Sequence, residues 1–210
     1  MAAKKRYHHG DLREQLLAAV AAIIREHGLG FLSLREVARH AGVSHGAPAH
    51  HFKNKAGMLT AFAAQGFERL ARTVLQAASA SGARDGAAAL EALGAAYVRF
   101  AVENPEQFSV MFRPQAVDDH DTGLVVAREA AYGVLFSTMH RCAREGFLEG
   151  LELELATISA WSIVHGLAAL WLSGRLADRL RERQPDRVAH SVSRLFVDAV
   201  LRKRLRPRAK

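Results

Sequence analysis

The chain has 210 residues, half of them hydrophobic and 24% charged, which is enough to bury a core and too apolar for a disordered chain. Its formal net charge is +8, unevenly spread: residues 1–55 hold nine Lys/Arg against four Asp/Glu, residues 202–210 hold six Lys/Arg and no acid, and seven of the eleven His precede residue 56. A basic head on a mildly acidic body points to a polyanion partner, and the single Cys142 excludes an internal disulfide framework.

The N-terminus does not read as a signal peptide. The longest apolar stretch, from Leu155 to Leu172, is interrupted by Ser159, Ser162, His165 and Gly166, which favours a buried helix or a helix interface over a membrane span. A reducing, aqueous compartment is expected, and hence a cytoplasmic protein.

Helical periodicity runs through nearly the whole chain. Leu12, Leu16, Ala19, Val20 and Ile23 mark one face of a first helix, ended by Gly28 and Gly30. Ser33-Leu34-Arg35-Glu36 reads as a capping box, with Ser33 as N-cap and Glu36 reaching back. Leu34, Val37, Ala38 and Ala41 give the next helix its apolar face, Gly42 breaks it, and Ser44 is expected to cap its successor. Asn54 caps a longer helix carrying Leu59, Phe62, Ala63, Gly66, Phe67, Leu70 and Val74. The small, polar segment 77–86 is the expected boundary between head and body. Further helices are expected over about 87–103, after the restart at Asn104-Pro105, from the end of a 113–122 loop to Glu145, and over about 152–180 and 186–203. With no strand pattern and no repeat, the fold class is all-α. The expected organisation is a basic arm (1–10), a three-helix head (11–55), a connecting helix (56–80), a helical body (81–203) and a basic tail (204–210).

Residues 33–52 carry the functional signal. Two short helices joined by Ala41-Gly42-Val43-Ser44 have helix-turn-helix spacing, with Gly42 permitting the sharp turn and Val43 plugging the gap. Such a second helix enters a DNA major groove, while basic residues and helix N-termini meet phosphates. The candidate DNA-binding residues are Ser33, Arg35, Ser44, His45, Gly46, Ala47, His50, Lys53 and Lys55. Gly46 and Ala47 are small enough for close approach. Lys53 and Lys55 suit phosphates. With no Arg in the second helix, a guanine contact falls to Arg35, and His45 and His50 are edge readers, phosphate partners or solvated surface residues. His51 beside Phe52 reads as packing against the first helix. Lys4-Lys5-Arg6 either reaches a minor groove or remains a free arm, and the C-terminal basic run reads as a solvated tail.

Leu12–Ile24, the 33–52 block and Lys55-Ala56-Gly57-Met58-Leu59 together resemble the N-terminal DNA-binding domain of TetR-type transcriptional regulators, over about the first 65 residues. Trp161-x-x-x-His165-Gly166 also resembles a motif of one subgroup's ligand-binding domains. Two departures stand out. Ala49 occupies a position where the family commonly has a phosphate-contacting Tyr. Pro48 lies inside the second helix, which is therefore expected to be short or locally distorted.

The resemblance implies a homodimer, a palindromic double-stranded operator and a small-molecule effector, and so a repressor released by its ligand. A constitutive DNA-binding or architectural protein is the alternative. Ser159, Ser162, Gly166, Ala169 and Ser173 form a small-residue stripe on one helix, and Val192, Leu195, Phe196 and Ala199 an apolar face on the next. Both are candidate dimer contacts or else internal core. Aromatic and Met residues, suited to a bulky apolar or aromatic effector, supply its candidate contacts: Phe100, Phe108, Met111, Phe112, Tyr132, Phe136, Met139, Trp161 and His165, with Tyr97 among the same set. Core packing is the competing role for each, and a hydrogen-bonded core position for His165. Asp118, Asp119 and Asp121 read as a solvated, helix-capping loop, and Cys142 as a buried, inert thiol. There is no HExxH, paired Cys or Gly-rich phosphate loop, so neither an enzyme, a metal site nor a cofactor is expected.

Overall fold

The computed structural model describes residues 9–80, 84–148, 150–176, 178–180 and 184–202. The basic arm with Lys4-Lys5-Arg6 falls almost wholly outside them, and the 204–210 tail entirely so. Among the described residues there are nine α-helices and no strand: α1 (His9–His27), α2 (Leu34–Ala41), α3 (Ala47–Phe52), α4 (Lys55–Ser79), α5 (Gly86–Glu103), α6 (Pro105–Met111), α7 (Thr122–Arg144), α8 (Leu153–Leu172) and α9 (Pro185–Phe196). A π-helical turn, Val197–Arg202, continues α9.

The chain forms two compact units. One gathers the residues up to Gly66 with Glu106–Val125; the other holds Phe67–Pro105 and the residues from Val126 onward. The division cuts α4 at Gly66 rather than falling at the boundaries expected near 55 and 80. Three polar ties fix 106–125 in the first unit. Arg25 Nε donates to Glu106 Oε1 at 2.6 Å, Gln107 Nε2 donates to the Phe62 carbonyl at 2.9 Å, and the Asp118 amide donates to Thr60 Oγ1 at 2.9 Å. Gly66 allows close packing as well: a Cβ there would stand 2.6 Å from Met111 Sδ.

The first unit's core follows the α1 periodicity, with Leu16, Leu17, Val20 and Ile23 buried, joined by Leu32, Val37, Ala38, Phe52, Met58, Leu59 and Phe62. In the second unit α5 packs against both α8 and α9. Its Ala87, Ala89, Leu90, Leu93, Ala96 and Val98 are buried. Polar contacts join α5 to α9 on the surface, with Arg194 Nη2 2.9 Å from Glu91 Oε1 and Arg99 Nη1 3.4 Å from Asp186 Oδ1.

Several local expectations need correction. Ser33 does cap α2, accepting from the Glu36 amide at 3.2 Å, but Glu36 does not reach back: its carboxylate takes Arg39 at 2.7 Å instead. Asn104 spends its side chain on the end of α5, donating to the Phe100 carbonyl and accepting from Arg69 at 2.7 Å, rather than on the helix that follows. The helix expected to reach about 180 stops at Leu172. There Gly174, at φ 72°, takes the left-handed conformation open to glycine, so that Gly174 N–H bonds the Trp171 carbonyl and Arg175 N–H bonds that of Leu170.

Candidate nucleic-acid interface and ligand site

The turn between α2 and α3 is built on Gly42. At φ 67°, ψ 32° it lets Gly42 N–H bond the Arg39 carbonyl and Val43 N–H that of Ala38, closing α2 and reversing the chain within two residues. Val43 is half-buried at the corner.

Ser44 does not cap α3. The helix begins at Ala47, its first residue preceded by Gly46 and no side-chain cap, while the Ser44 carbonyl accepts from Ala47 N–H at 3.0 Å in a turn. Pro48 sets this start. Proline's missing N–H is harmless only in a helix's first turn, where amides have no partner in the preceding turn. Starting at Ala47 puts Pro48 there and leaves a helix of 6 residues, short as Pro48 led us to expect. The side chains of Pro48 and Phe52 are buried, and Arg13 of α1 lies over the Phe52 ring at 5.7 Å from its centroid.

After α3 the backbone turns sharply at Lys53, whose φ 64°, ψ −57° place it at the centre of a γ-turn closed by Asn54 N–H on the Phe52 carbonyl at 2.7 Å. It is the one non-glycine residue with positive φ among the described residues. Asn54 Oδ1 then accepts from Gly57 N–H at 2.8 Å, capping α4 as expected. Gly57 leaves room for the Phe52 carbonyl, which a Cβ would overlap. Lys55 Nζ reaches the Leu29 carbonyl at 3.4 Å.

The candidate DNA-binding residues are mostly open to solvent. Arg35, Ser44, His45, Gly46, His50, Lys53 and Lys55 are exposed, and Ser33 and Ala47 half-buried. No Asp or Glu occurs between residues 37 and 67. The nearest carboxylate in sequence, Glu36, is taken by Arg39. The stretch from the Gly42 turn into α4 therefore carries only cationic or neutral side chains.

In the second unit a polar knot lies within aromatic rings. The buried Tyr97 hydroxyl is 2.8 Å from His165 Nδ1 and 3.3 Å from Trp161 Nε1. Indole N–H can only donate, so it donates to the Tyr97 oxygen, and the Tyr97 hydroxyl and His165 Nδ1 share a second hydrogen bond. Burial keeps both groups neutral, raising the Tyr97 pKa and lowering that of His165. Tyr132 stands 6.2 Å from Trp161 and 6.4 Å from Phe136, centroid to centroid. Trp161 and Phe136 are exposed, at 36% and 40%.

Of the candidate effector contacts, Tyr132, Phe136, Trp161 and His165 thus form one cluster. Phe100 and Met139 are buried in the second unit. Phe108, Met111 and Phe112 belong to the first unit, where Phe108 and Phe112 pack at 4.9 Å. Tyr97, grouped with the candidate contacts by its sequence, is the hub. Its sign in the sequence is only an aromatic 64 residues from the indole it bonds.

On α8 the inward face holds the buried Ala156, Thr157, Ala160, Val164, Leu167 and Ala168. The stripe expected at the dimer points the other way: Ser159, Ser162, Ala169 and Ser173 are exposed and Gly166 half-buried, flanked by exposed Leu155 (60%) and Leu170 (46%). The apolar stretch is therefore only partly internal. Its helix is long and apolar enough to cross a membrane, with 28% of that window buried. On α9 Leu195 is exposed and Val192 half-buried, and Ala199 in the π-helical turn beyond it is exposed. Phe196 is a correction: it is 7% exposed, turned into its own protomer's core, and leaves the outward set.

Asp121 Oδ1 accepts from Leu124 N–H at 2.9 Å, so the aspartate loop does cap α7. Cys142 is fully buried, and burial first, then Glu145 and Asp85, push its thiol up to about 12 against the opposing pull of Arg141. Such a thiol is inert at neutral pH.

Comparison with known proteins agrees with this architecture. Residues 90–196 match the family of tetracyclin repressor-like C-terminal domains, and residues 16–62 the bacterial regulatory proteins of the tetR family. The HTH-type transcriptional regulator BetI of Yersinia pestis (strain Pestoides F) is 27% identical over 172 residues, 82% of this chain and 85% of that protein. A protein of unknown function from Rhodococcus sp. RHA1 has the same fold with a TM-score of 0.79 and 30% identity, over 94% of this chain and all of its own. The fatty acid degradation regulator FadR of Bacillus halodurans superposes with a TM-score of 0.70 at 16% identity, over 91% of this chain and 97% of its own, a likeness of fold.

Proposed function

Since the chain belongs to the tetR family of bacterial regulatory proteins and is a DNA-binding transcriptional regulator, we propose that it is a cytoplasmic homodimeric repressor, released from a palindromic operator by a small effector. The observation that carries the reading is the run of exposed side chains around the Gly42 turn, with no carboxylate between residues 37 and 67. In this reading Ser33, Ser44, Lys53 and Lys55 meet phosphates, Arg35, His45 and His50 address base edges or phosphates, and Gly46 and Ala47 allow close approach. The missing aromatic at Ala49 costs one positioning contact.

Two heads must meet half-sites about one DNA turn, roughly 34–36 Å, apart. The outward α8 stripe, with Val192 and Leu195 of α9 and Ala199 beyond it, supports a two-fold interface in which small residues let helices approach and the flanking leucines leave water. The Tyr97–His165–Trp161–Tyr132 cluster supports a neutral, aromatic-walled effector site, suited to a bulky apolar or aromatic molecule. An effector that binds a second body conformation better needs only about 1–3 kcal/mol of differential affinity to couple the sites.

Selection from random duplex DNA at two salt concentrations tests the proposal. An enriched palindrome is expected, and gives a probe for ligands that release it. Retention without enrichment, fading with salt, would contradict it and favour an architectural role.

A further inference from the structure

The groups available to touch a base or phosphate around α3 are unusual. Between the Gly42 turn and the end of α3 the exposed side chains are Ser44, His45, Ala49 and His50, with no Lys, Arg or Tyr among them. The His50 imidazole lies over Gly46, its Nε2 3.9 Å from where a Cβ would stand, so the ring rests on the residue that follows His45. His45 and His50 are both exposed, and no Lys or Arg stands between them in the sequence.

We infer that His45 and His50 bind the operator as imidazolium ions, so that recognition by this head strengthens in mild acid and weakens in mild alkali. This rests on the operator reading above. A neutral imidazole has one donor and one acceptor, whereas an imidazolium has two donors. Phosphate oxygens and the N7 and O6 edges of guanine offer only acceptors. A neutral ring offers such acceptors one N–H, whereas a protonated ring offers two N–H donors and a positive charge, and so a charge-assisted bond. Histidine side chains in general change charge in the range where this matters to a cell.

α2, packed on α3, carries Arg35, Arg39, His40 and Glu36, whose carboxylate is taken by Arg39. α1 brings Arg13 over the Phe52 ring, with Glu14 next to it in sequence and exposed. The start of α4 brings Lys53 and Lys55, and His51 lies against Phe52 with ring centroids 6.0 Å apart. The neighbourhood is mostly cationic, so the anionic partner, not the protein, supplies the field that draws the proton on.

The probe is the duplex most enriched from a random pool at pH 6, labelled for fluorescence anisotropy and titrated at fixed ionic strength from pH 6 to pH 8, with circular dichroism checking the fold. Each proton taken up on binding weakens affinity by up to tenfold per pH unit. The inference expects wild-type affinity to fall more than fivefold across the range, and the H45Q/H50Q variant to fall less than wild type. A smaller wild-type fall, or an equal fall in the variant, overturns it. H45R/H50R, which keeps the charge at every pH, is expected to bind at pH 8 as tightly as wild type at pH 6; weaker binding counts against the inference. Failure to enrich any sequence would defeat the operator reading itself, whereas an enriched duplex bound equally at both pH values defeats only the imidazolium.

Discussion

Replacing Gly94 by alanine puts a methyl group where α5 meets two other helices. The new Cβ would overlap Ser193 Oγ of α9 and stand 3.2 Å from both Ser193 Cβ and Val164 Cγ1. Ser193 is 5% exposed and cannot simply swing outward, and its hydroxyl has no hydrogen-bond partner. Overpacking of this kind costs about 1–3 kcal/mol, and alanine's better helix propensity returns about 0.5–1 kcal/mol. The expected net loss is therefore about 1–2 kcal/mol, a fall of roughly 2–8 °C in Tm at this chain length. Ser193→Ala removes a buried hydroxyl that bonds nothing, so it should leave stability unchanged or raise it by about 1 kcal/mol. In the double variant the overlap disappears, and the two substitutions should couple by about 1 kcal/mol or more. Urea unfolding of the four proteins at one concentration closes the cycle. A Gly94→Ala protein at least as stable as wild type, with additive effects, would refute the packing argument.

The remaining predictions concern the surfaces. Leu155→Asp with Leu195→Asp puts unpaired carboxylates on the outward face of α8 and α9, and should weaken self-association at least a hundredfold in sedimentation equilibrium while leaving the helical spectrum intact. Lys53→Gly relieves the positive-φ strain and should stabilise the fold by about 1 kcal/mol in thermal melts, yet weaken binding to duplex DNA and reduce its salt slope by about one. Burial pushes the Glu106 carboxyl up, but the hydrogen bond from Arg25, the helix backbone and the guanidinium charge together hold it below the ordinary range. A depressed carboxylate contributes stability above its unfolded pKa, near 4.3, that is lost as pH falls through the folded value. Glu106→Gln should therefore destabilise at pH 7 and narrow the gap from wild type near pH 3, measured by urea titration at both.

The elements that announce themselves locally were legible in the sequence. Ser33, Gly42 and Asn54 act within three or four residues of themselves, and the α1 periodicity needed nothing distant. Ser44 misled because capping was weighed without Pro48, whose ring decides where α3 can start. Glu36 misled because its partner for the box competed with Arg39 one turn away. The long-range features left no such trace. Nothing near Glu106, Gln107 or Asp118 signals that they pair with Arg25, Phe62 and Thr60, so 106–125 reads as body although it packs with the head. Tyr97 could be seen as aromatic, but its role between His165 and Trp161 depends on helices 60 or more residues apart. For α8, periodicity gave two apolar faces and could not tell which one the protomer buries.

The central claim is that two copies of this chain grip one specific duplex. Sedimentation velocity of the protein with its selected duplex, against a scrambled duplex of equal length and in 200 mM salt, tests it most directly. The account predicts two chains, or a whole multiple of two, on the selected duplex and no complex on the scrambled one. One chain per duplex, or equal binding to both, would contradict it.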